Sequence, residues 1–175
     1  DFKHEVTEFV ALEDNVKIYM MKLTNKHKQN KDVKVDFWLN PTFGNFEEKT
    51  TRHILSEFMG DDNYVKLRNV YSINYGDVNV FMSTSERIEE AICDKMLVKN
   101  ISFNVNLGKE EEKNLIFVLG CGMSDEENIA LIKKYTDYNT CKKELRSVKE
   151  YWNKTLGTIQ VDTPDKSLDY VVNGW

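Results

Sequence analysis

Alternating apolar and polar residues dominate the chain as far as Gly122 and predict a series of β-strands. The predicted strands cover residues 2–10, 16–24, 33–39, 50–59, 64–70, 78–83, 99–107 and 113–120. The second of these strands is apolar on both faces, with Val16, Ile18 and Met20 on one face and Tyr19, Met21 and Leu23 on the other. A strand with two apolar faces is expected to lie between two layers of structure.

The polar segments between the strands predict how consecutive strands connect. Residues 25–32 are Lys-rich and predict a hairpin loop, so the strand over 33–39 is expected to return beside the preceding one. Gly108 predicts a second turn, after which the chain returns through the next strand. Residues 60–63 and 74–77 are rich in Gly, Asn and Asp and predict two tight turns.

The segment over residues 85–95 is ambiguous, because Ile88, Ala91 and Ile92 have a spacing that fits a short helix. The following segment, residues 99–107, alternates clearly and predicts a strand. Its inward residues are expected to be Ile101, Phe103, Val105 and Leu107, and its outward residues Ser102, Asn104 and Asn106.

After Gly122 the apolar residues recur with the period of helices. Ser124 and Glu127 form the capping box of a first helix, and its apolar face carries Ile129, Ile132 and Tyr135. A second helix is predicted over 140–156, with one apolar face formed by Cys141, Leu145, Val148, Trp152 and Leu156. This face is expected to be buried against the strands or a partner chain, with Trp152 packed in a core.

The last residues predict a third helix. Gly157 is expected to end the second helix in the left-handed conformation, and residues 158–161 resemble a short strand. Thr163 then predicts the N-cap of the third helix, with Pro164 at its first position. One face of this helix carries Leu168, Val171, Val172 and Trp175. Since an uncovered apolar face tends to find a partner, we expect it to be covered by structure outside this sequence or by a second copy.

Composition narrows the class of protein. The chain has 175 residues, enough to bury a sizeable core, and 41% of them are hydrophobic, which argues against disorder. The net charge of −5, with both signs spread along the chain, argues against nucleic-acid binding. No apolar stretch approaches the length of a membrane helix, so no membrane contact is expected from this segment. The three cysteines lack metal-ligand spacing and are expected to be free thiols in a reducing compartment.

The segment T-P-D-K-S-L-D-Y-V-V-N-G-W, residues 163–175, resembles a junction found in the inverting sugar phosphorylases. That family includes the cellobiose and cellodextrin phosphorylases and the C-terminal region of cyclic β-1,2-glucan synthases. Nine positions agree: Val161, Thr163, Pro164, Asp165, Leu168, Asp169, Asn173, Gly174 and Trp175. A looser match near the start comprises Phe9, Val10, Glu13, Asp14, Val16, Leu23, Asn25 and Gly44.

The sequence departs from this family at three places. It lacks the strands that the family carries before Phe2, and it lacks an Asp-Arg and a Phe-Leu-Gly between Glu86 and Val98. It also lacks the catalytic barrel of the family. The run F-V-L-G at 117–120, followed by Gly122, again matches the point where the family's sandwich ends.

The resemblance implies a mainly β fold. It implies an antiparallel β-supersandwich of the galactose-mutarotase-like type over residues 1–122, followed by a helical linker over 123–175 that leads to an (α/α)6 catalytic barrel absent from this sequence. The implied function is that of a non-catalytic, carbohydrate-associated domain of a phosphorylase or glucan synthase acting on β-glucans or β-linked oligosaccharides.

The resemblance also bears on cofactors and partners. The parent enzyme would use inorganic phosphate as co-substrate, with no other cofactor, and a homodimer is expected. The protein is expected to be cytoplasmic, with a membrane-associated parent if that parent is a glucan synthase. The alternative that stays open is a free-standing carbohydrate-binding or protein-interaction sandwich, which would end near Gly120 and would not need the helices.

Candidate chemistry within the chain is sparse. The histidines are scattered along the chain. The acidic pairs Glu47–Glu48, Asp61–Asp62 and Glu89–Glu90 lie in turns or charged runs, so a solvated surface position is favoured for them over a role as a catalytic carboxylate pair. No catalytic residue and no metal ligand is therefore predicted. The aromatic residues that could stack on a sugar ring are Trp38, Tyr71 and Tyr75. For Trp38, packing beneath a second layer is favoured over a sugar contact.

Overall fold

The computed structural model describes residues 2–43, 53–71, 78–93 and 99–173. These residues form nine strands: β1 (Phe2–Val10), β2 (Val16–Asn25), β3 (Lys31–Leu39), β4 (Ile54–Met59), β5 (Tyr64–Asn69), β6 (Asn79–Thr84), β7 (Glu90–Ile92), β8 (Lys99–Leu107) and β9 (Glu112–Gly122). They build two sheets, one with the strand order β1-β2-β9-β6-β5-β4 and one with the order β3-β8-β7. Every pair of neighbouring strands is antiparallel, which confirms the predicted mainly β sandwich.

Strand β2 lies between two layers, as its two apolar faces predict. Val16, Ile18 and Met20 belong to a core that the helices cover. On the opposite face, Leu23 is buried against the three-stranded sheet, with Tyr19 and Met21 packed around it. Strand β2 is therefore central to both cores of the molecule.

The two predicted hairpin returns are wrong, because β3 does not pair with β2 and β9 does not pair with β8. Instead β3 and β8 pair with each other in the smaller sheet, whereas β2 and β9 pair in the larger one. Crossing between the sheets lets the apolar face of β3, centred on Val35, pack over Leu115 and Phe117 of β9. The buried amide of Asn25 fixes the first crossing, since its Nδ2 donates to the carbonyl oxygens of Gln29 and Gly108 at 2.9 Å.

The segment that fits a short helix contains a strand instead. Residues Glu90–Ile92 form β7, in which Ala91 is opposite Ile101 of β8, and Ile88 is buried in the core beneath the smaller sheet. Because β8 offers an unpaired edge beside this apolar run, pairing and burial outweigh a helical spacing of only three residues. The turn at 60–63 lies between β4 and β5 as predicted, with Asn63 at a φ of 62°. The turn at 74–77 lies outside the described residues.

Two helices follow the last strand, α1 (Asp125–Tyr135) and α2 (Tyr138–Leu156). Ser124 caps α1 as predicted, because its side chain accepts a hydrogen bond from the Glu127 amide. The carboxylate of Glu127 reaches back to the amide of Met123 at 2.7 Å, one residue earlier than in a standard capping box. Ile132, Tyr135 and Cys141 are buried against the larger sheet.

Both helices bind the turn between β1 and β2. From α1, the Tyr135 hydroxyl donates to Asp14 Oδ2 at 2.7 Å, and Lys134 Nζ lies 2.6 Å from the same oxygen. From α2, Glu144 Oε1 accepts a hydrogen bond from the Leu12 amide at 2.9 Å. These contacts fix the helices against the sandwich at one end of the larger sheet.

The outer half of α2 is only partly covered by the sandwich, because Tyr151 and Trp152 line an open pocket with residues 10–13. Leu145 and Val148 pack against the core, but Trp152 and Leu156 are each 50% exposed. Their predicted burial within this chain is therefore wrong, because the helix extends past the edge of the sheet that covers its first turns. Gly157 ends α2 as predicted but with a φ of −78°, so the left-handed cap is also wrong.

The third helix, α3, spans Lys166–Asn173, and none of its residues is buried. Its N-cap is Asp165, whose Oδ1 accepts from the Ser167 amide at 2.9 Å, so the predicted cap at Thr163 is wrong. Thr163 instead donates through its amide to Asp169 Oδ1 at 2.8 Å. Residues 158–161 form no strand; the Val161 amide and carbonyl bond the side chain of Asn173.

Candidate functional site

The outer face of the smaller sheet carries the most exposed of the predicted sugar contacts that the structure describes. Trp38 lies near the end of β3, points away from the sandwich interior and is 65% exposed. The predicted packing of Trp38 beneath a second layer is therefore wrong. The reason is that the layer covers the opposite face of β3, where Val35 and Phe37 pack.

The residues around Trp38 follow from the strand register. Trp38 is opposite Asn100 on β8, and Asn100 is in turn opposite Ile92 on β7. The next row across the sheet consists of Asp36, Ser102 and Glu90. Because alternate residues of β8 share this face, the central strand presents a column of polar side chains: Asn100, Ser102, Asn104 and Asn106.

Hydrogen bonds hold this polar column in place. Asn100 Nδ2 donates to Asp36 Oδ1 at 3.1 Å, and Asn106 Nδ2 donates to Asp32 Oδ1 at 2.7 Å. Asn104 binds the carboxylate of Glu89 through both its side-chain amide and its backbone amide. The amides therefore have fixed orientations beside Trp38, and each of the three Nδ2 groups donates one hydrogen bond to a carboxylate. The described structure gives the buried Oδ1 of Asn100 no hydrogen-bond partner.

A lysine balances part of the acidic charge on this face. Lys34 Nζ lies 2.9 Å from Glu90 Oε2, and Ser102 Oγ approaches the same oxygen at 3.5 Å. The hydrogen bond and charge of Lys34 lower the pKa of Glu90, so this carboxylate is ionised at neutral pH. An ionised, cation-paired carboxylate is a poor general acid. Glu90 is therefore engaged in the surface hydrogen-bond network of this face.

The second predicted contact, Tyr71, belongs to a different part of the molecule. It follows β5 of the larger sheet, and its ring stacks on that of His53 with centroids 5.0 Å apart. Its amide donates to Asn69 Oδ1 at 2.9 Å. Tyr71 thus follows a strand of the larger sheet, whereas Trp38 lies on the outward face of the smaller one. Tyr75, the third candidate, lies outside the described residues.

None of the polar residues on β8 is among the sugar contacts predicted from the sequence. The signal that identifies them is the alternation Asn-Ile-Ser-Phe-Asn-Val-Asn over residues 100–106, which places amides on the same face. The alternation alone does not show which strand, and therefore which side chains, lie beside that face. Only the pairing of β8 with β3 brings Trp38 beside it.

Other classes of site are not supported by the described residues. No three His, Cys, Asp or Glu side chains are grouped there so that they could hold a metal ion. The three cysteines are free thiols, and burial raises the pKa of Cys141 to about 12. None of the helices that the structure describes is long and apolar enough to cross a membrane.

Comparison with protein families identifies the sandwich. Residues 1–97, more than half of the chain, match the family model described as "Glycosyl hydrolase 94, supersandwich domain". The chain belongs to glycosyl hydrolase family 94. No curated protein sequence matches it. Membership in family 94 agrees with the resemblance to inverting phosphorylases, at the level of the family and its supersandwich domain.

A solved structure supports the same fold for the family 94 chain. A protein described as "Putative kojibiose phosphorylase from human microbiome" superimposes with a TM-score of 0.56 and 12% sequence identity. The match covers 87% of this chain but only 22% of that protein, so the chain spans about a fifth of its length. The match includes residues beyond the family model, so part of the helical region shares this fold as well.

Proposed function

We propose that this chain is the non-catalytic supersandwich and linker part of a family 94 enzyme that acts on β-glucosides. The parent would be a cellobiose or cellodextrin phosphorylase, or a cyclic β-1,2-glucan synthase. In such a parent, an acidic residue of an (α/α)6 barrel would protonate the glycosidic oxygen, and inorganic phosphate would attack the sugar. The sandwich would support that barrel and contribute no reacting group.

The exposed apolar side chains of the two last helices carry this proposal. Trp152 and Leu156 of α2 are half-exposed, and Leu168 and Val171 of α3 are 49% and 60% exposed. An isolated helix of eight residues is too short to be stable in water by itself. These faces are therefore suited to a large apolar partner, and a catalytic barrel that follows the linker would supply one.

The distribution of acids supports a non-catalytic role. Asp61 and Asp62 lie in the exposed turn between β4 and β5. Glu89 and Glu90 are bonded to side chains of their own sheet. The hydrogen bond and charge of Lys34 lower the pKa of Glu90, whereas general acid catalysis of glycoside cleavage requires a protonated carboxyl group.

Two measurements test the proposal. The chain, incubated with cellobiose, cellodextrins or β-1,2-glucan and inorganic phosphate, is expected to release no sugar phosphate. Turnover that survives repeated purification contradicts the non-catalytic role. Reading the gene beyond the codon for Trp175 tests the parent: a continuation with the pattern of an (α/α)6 barrel supports it, and a continuation with a different fold contradicts it.

A second candidate function is sugar binding by the outer face of the smaller sheet. Its support is the exposed ring of Trp38 beside Asn100 and Asp36, because aromatic faces and oriented polar groups are the contacts that sugars use. A single exposed ring gives little enclosure, so binding is expected to be weak, with a Kd of about 1 mM.

Tryptophan fluorescence tests this second function. Titration with cello-oligosaccharides or β-1,2-gluco-oligosaccharides is expected to change the emission of the chain in a saturable way. The change is expected to disappear in Trp38→Ala and to persist in Trp152→Ala, which removes an equally large, half-exposed ring elsewhere. An emission change that persists in Trp38→Ala would place the binding at another site.

A further inference from the structure

A shallow hollow beside the first half of α2 is lined by three cations and one amide, without a carboxylate. Its lining residues are Asn139, Lys142, Lys143 and Arg146, and its volume is about 550 Å³. All four side chains are exposed to solvent. We call this feature the basic hollow. Because only neutral and positively charged groups line it, the basic hollow is expected to attract anions.

The spacing of these residues along α2 makes them neighbours. Lys142 and Arg146 are separated by four positions and Lys143 and Arg146 by three, so both pairs lie on adjacent turns of one side of the helix. Like charges at these spacings destabilise a helix slightly. This side of α2 is therefore not arranged for the stability of the helix alone, and such local conflicts are expected where a surface has a function.

The three cations of the basic hollow form no ion pair with a described residue, whereas eight lysines elsewhere in the described structure are paired with carboxylates. Lys22, which lines a neighbouring groove together with Lys142, lies 2.7 Å from Glu112. Lys142 instead lies over the ring of Tyr138, with its Nζ 5.7 Å from the ring centroid. That contact supplies no opposite charge, so the positive charge of the hollow is not neutralised by the described residues.

The acidic residues of this helix and its cap do not line the basic hollow. Asp137 caps α2, since its Oδ1 accepts hydrogen bonds from both the amide and the hydroxyl group of Thr140 at 2.7 Å. Glu144 Oε1 accepts a hydrogen bond from the Leu12 amide at 2.9 Å, on the side of α2 that contacts the sandwich. An anion from solution would therefore meet no competing carboxylate within the hollow.

From this geometry we propose that the basic hollow binds the dianionic group of a phosphate monoester or of inorganic phosphate. The two lysines and Arg146 supply charge-assisted hydrogen bonds to its oxygens, and the planar guanidinium can bind two of them at once. The side-chain amide of Asn139 adds a further donor. This inference goes beyond the proposed function and concerns a surface that carries neither Trp38 nor the exposed half of α2.

Phosphorus NMR of methyl phosphate mixed with the full chain measures this binding. The resonance is expected to shift or broaden in a saturable way, with a Kd in the millimolar range, because all of the contacts are exposed to water. Dimethyl phosphate, which carries a single charge, is expected to bind more weakly. Inorganic phosphate is the third probe, and binding as tight as that of methyl phosphate would show that the ester group makes no contact. Amide spectra of the chain are expected to change most over residues 139–146.

Substitutions in α2 test the location of the site. Arg146→Gln is expected to raise the Kd for methyl phosphate about fivefold, and the double variant with Lys142→Gln more than about tenfold. Lys149→Gln is the matched control, because it removes one exposed positive charge from the same helix outside the hollow, and it should change the Kd less than about twofold. Glutamine keeps a high helix propensity, and circular dichroism checks that each variant remains folded.

Three outcomes overturn the proposal. The first is the absence of a saturable change with methyl phosphate at tens of millimolar. The second is a loss in Lys149→Gln as large as the loss in Arg146→Gln, which would show general attraction to a basic helix rather than a site. The third is equal binding of methyl phosphate and dimethyl phosphate, which would show that the dianion is not recognised. None of these outcomes changes the expected absence of sugar phosphate release, so a failure here is distinguishable from a failure of the proposed function.

Discussion

The hydrogen bond from Tyr135 to Asp14 makes a quantitative prediction about how the helices are fixed to the sandwich. Tyr135 is 1% exposed, and its hydroxyl donates to Asp14 Oδ2 at 2.7 Å. Tyr135→Phe keeps the buried ring and removes only this bond. A hydrogen bond to a charged group contributes about 1.5–3 kcal/mol. Asp14 retains Lys134 and is 26% exposed to water, so we expect a loss of about 1–2 kcal/mol at pH 7.

The same contact predicts how this loss depends on pH. Hydrogen bonds from Lys134 and then from Tyr135 lower the pKa of Asp14 below its usual 3.8, while burial raises the pKa of Tyr135 to about 12. The carboxylate therefore stabilises the fold above the pKa of the unfolded chain, and this stabilisation is lost as the pH falls through the lower pKa of the folded state. The cost of Tyr135→Phe should be constant between pH 5 and pH 7, two values well above 3.8, and should shrink below 3.8.

Urea unfolding followed by circular dichroism measures this loss. Asp14→Asn and the double variant complete a double-mutant cycle, in which the two changes should be strongly non-additive. Tyr151→Phe is the matched control: Tyr151 is 50% exposed, and its substitution should change the free energy of unfolding by less than about 0.5 kcal/mol. If Tyr135→Phe costs no more than this control at pH 7, or if the cycle is additive, the contact does not fix α1 to the sandwich.

Three further predictions concern burial. Trp152→Ala should lower the free energy of unfolding in urea by about 1 kcal/mol or less, because half of the side chain is already exposed. A loss near the roughly 3–5 kcal/mol of a buried tryptophan would mean that a partner covers this side chain. Asn25→Ala should cost about 2–4 kcal/mol, since it leaves buried carbonyls of the sheet crossing without a donor; an unchanged midpoint would contradict this. Cys141 should resist thiol reagents at pH 8 until the chain is unfolded, and mass spectrometry of labelled peptides would detect any reaction in the folded protein.

Residues close in sequence account for the features that the sequence predicts correctly. The alternation of β2 and β8 and the capping of α1 by Ser124 depend on neighbours within a few positions. The resemblance to inverting phosphorylases also rests on short motifs of neighbouring residues, and it leads to the correct family. The loop motif before α3 has a physical explanation in the structure: Asp169 and Asn173 hold Thr163 and Val161 against the helix.

The candidate site could be predicted only in part. Trp38 follows from its residue type, and its place on the face opposite Val35 and Phe37 follows from the alternation of β3. Its exposure does not follow, since packing beneath a second layer is the favoured prediction from the sequence. The amides beside it follow only from the pairing of β3 with β8, two strands that are far apart in the sequence. Strand pairing at that distance in sequence is set by which apolar faces can be buried together, and no local pattern records it.

The sequence by itself determined the fold class, the positions of most strands, the change to helices after Gly122 and the apolar faces of those helices, because each depends on local periodicity. Only the tertiary structure decided that β2 and β3 part into different sheets, that β7 pairs with β8, and that Trp38 and Trp152 are exposed. The physical reason is the same in each case. Periodicity identifies the face that can be buried, but burial requires a second surface that covers that face. The larger sheet covers only the first turns of α2, and no layer of the described residues covers the outward face of β3.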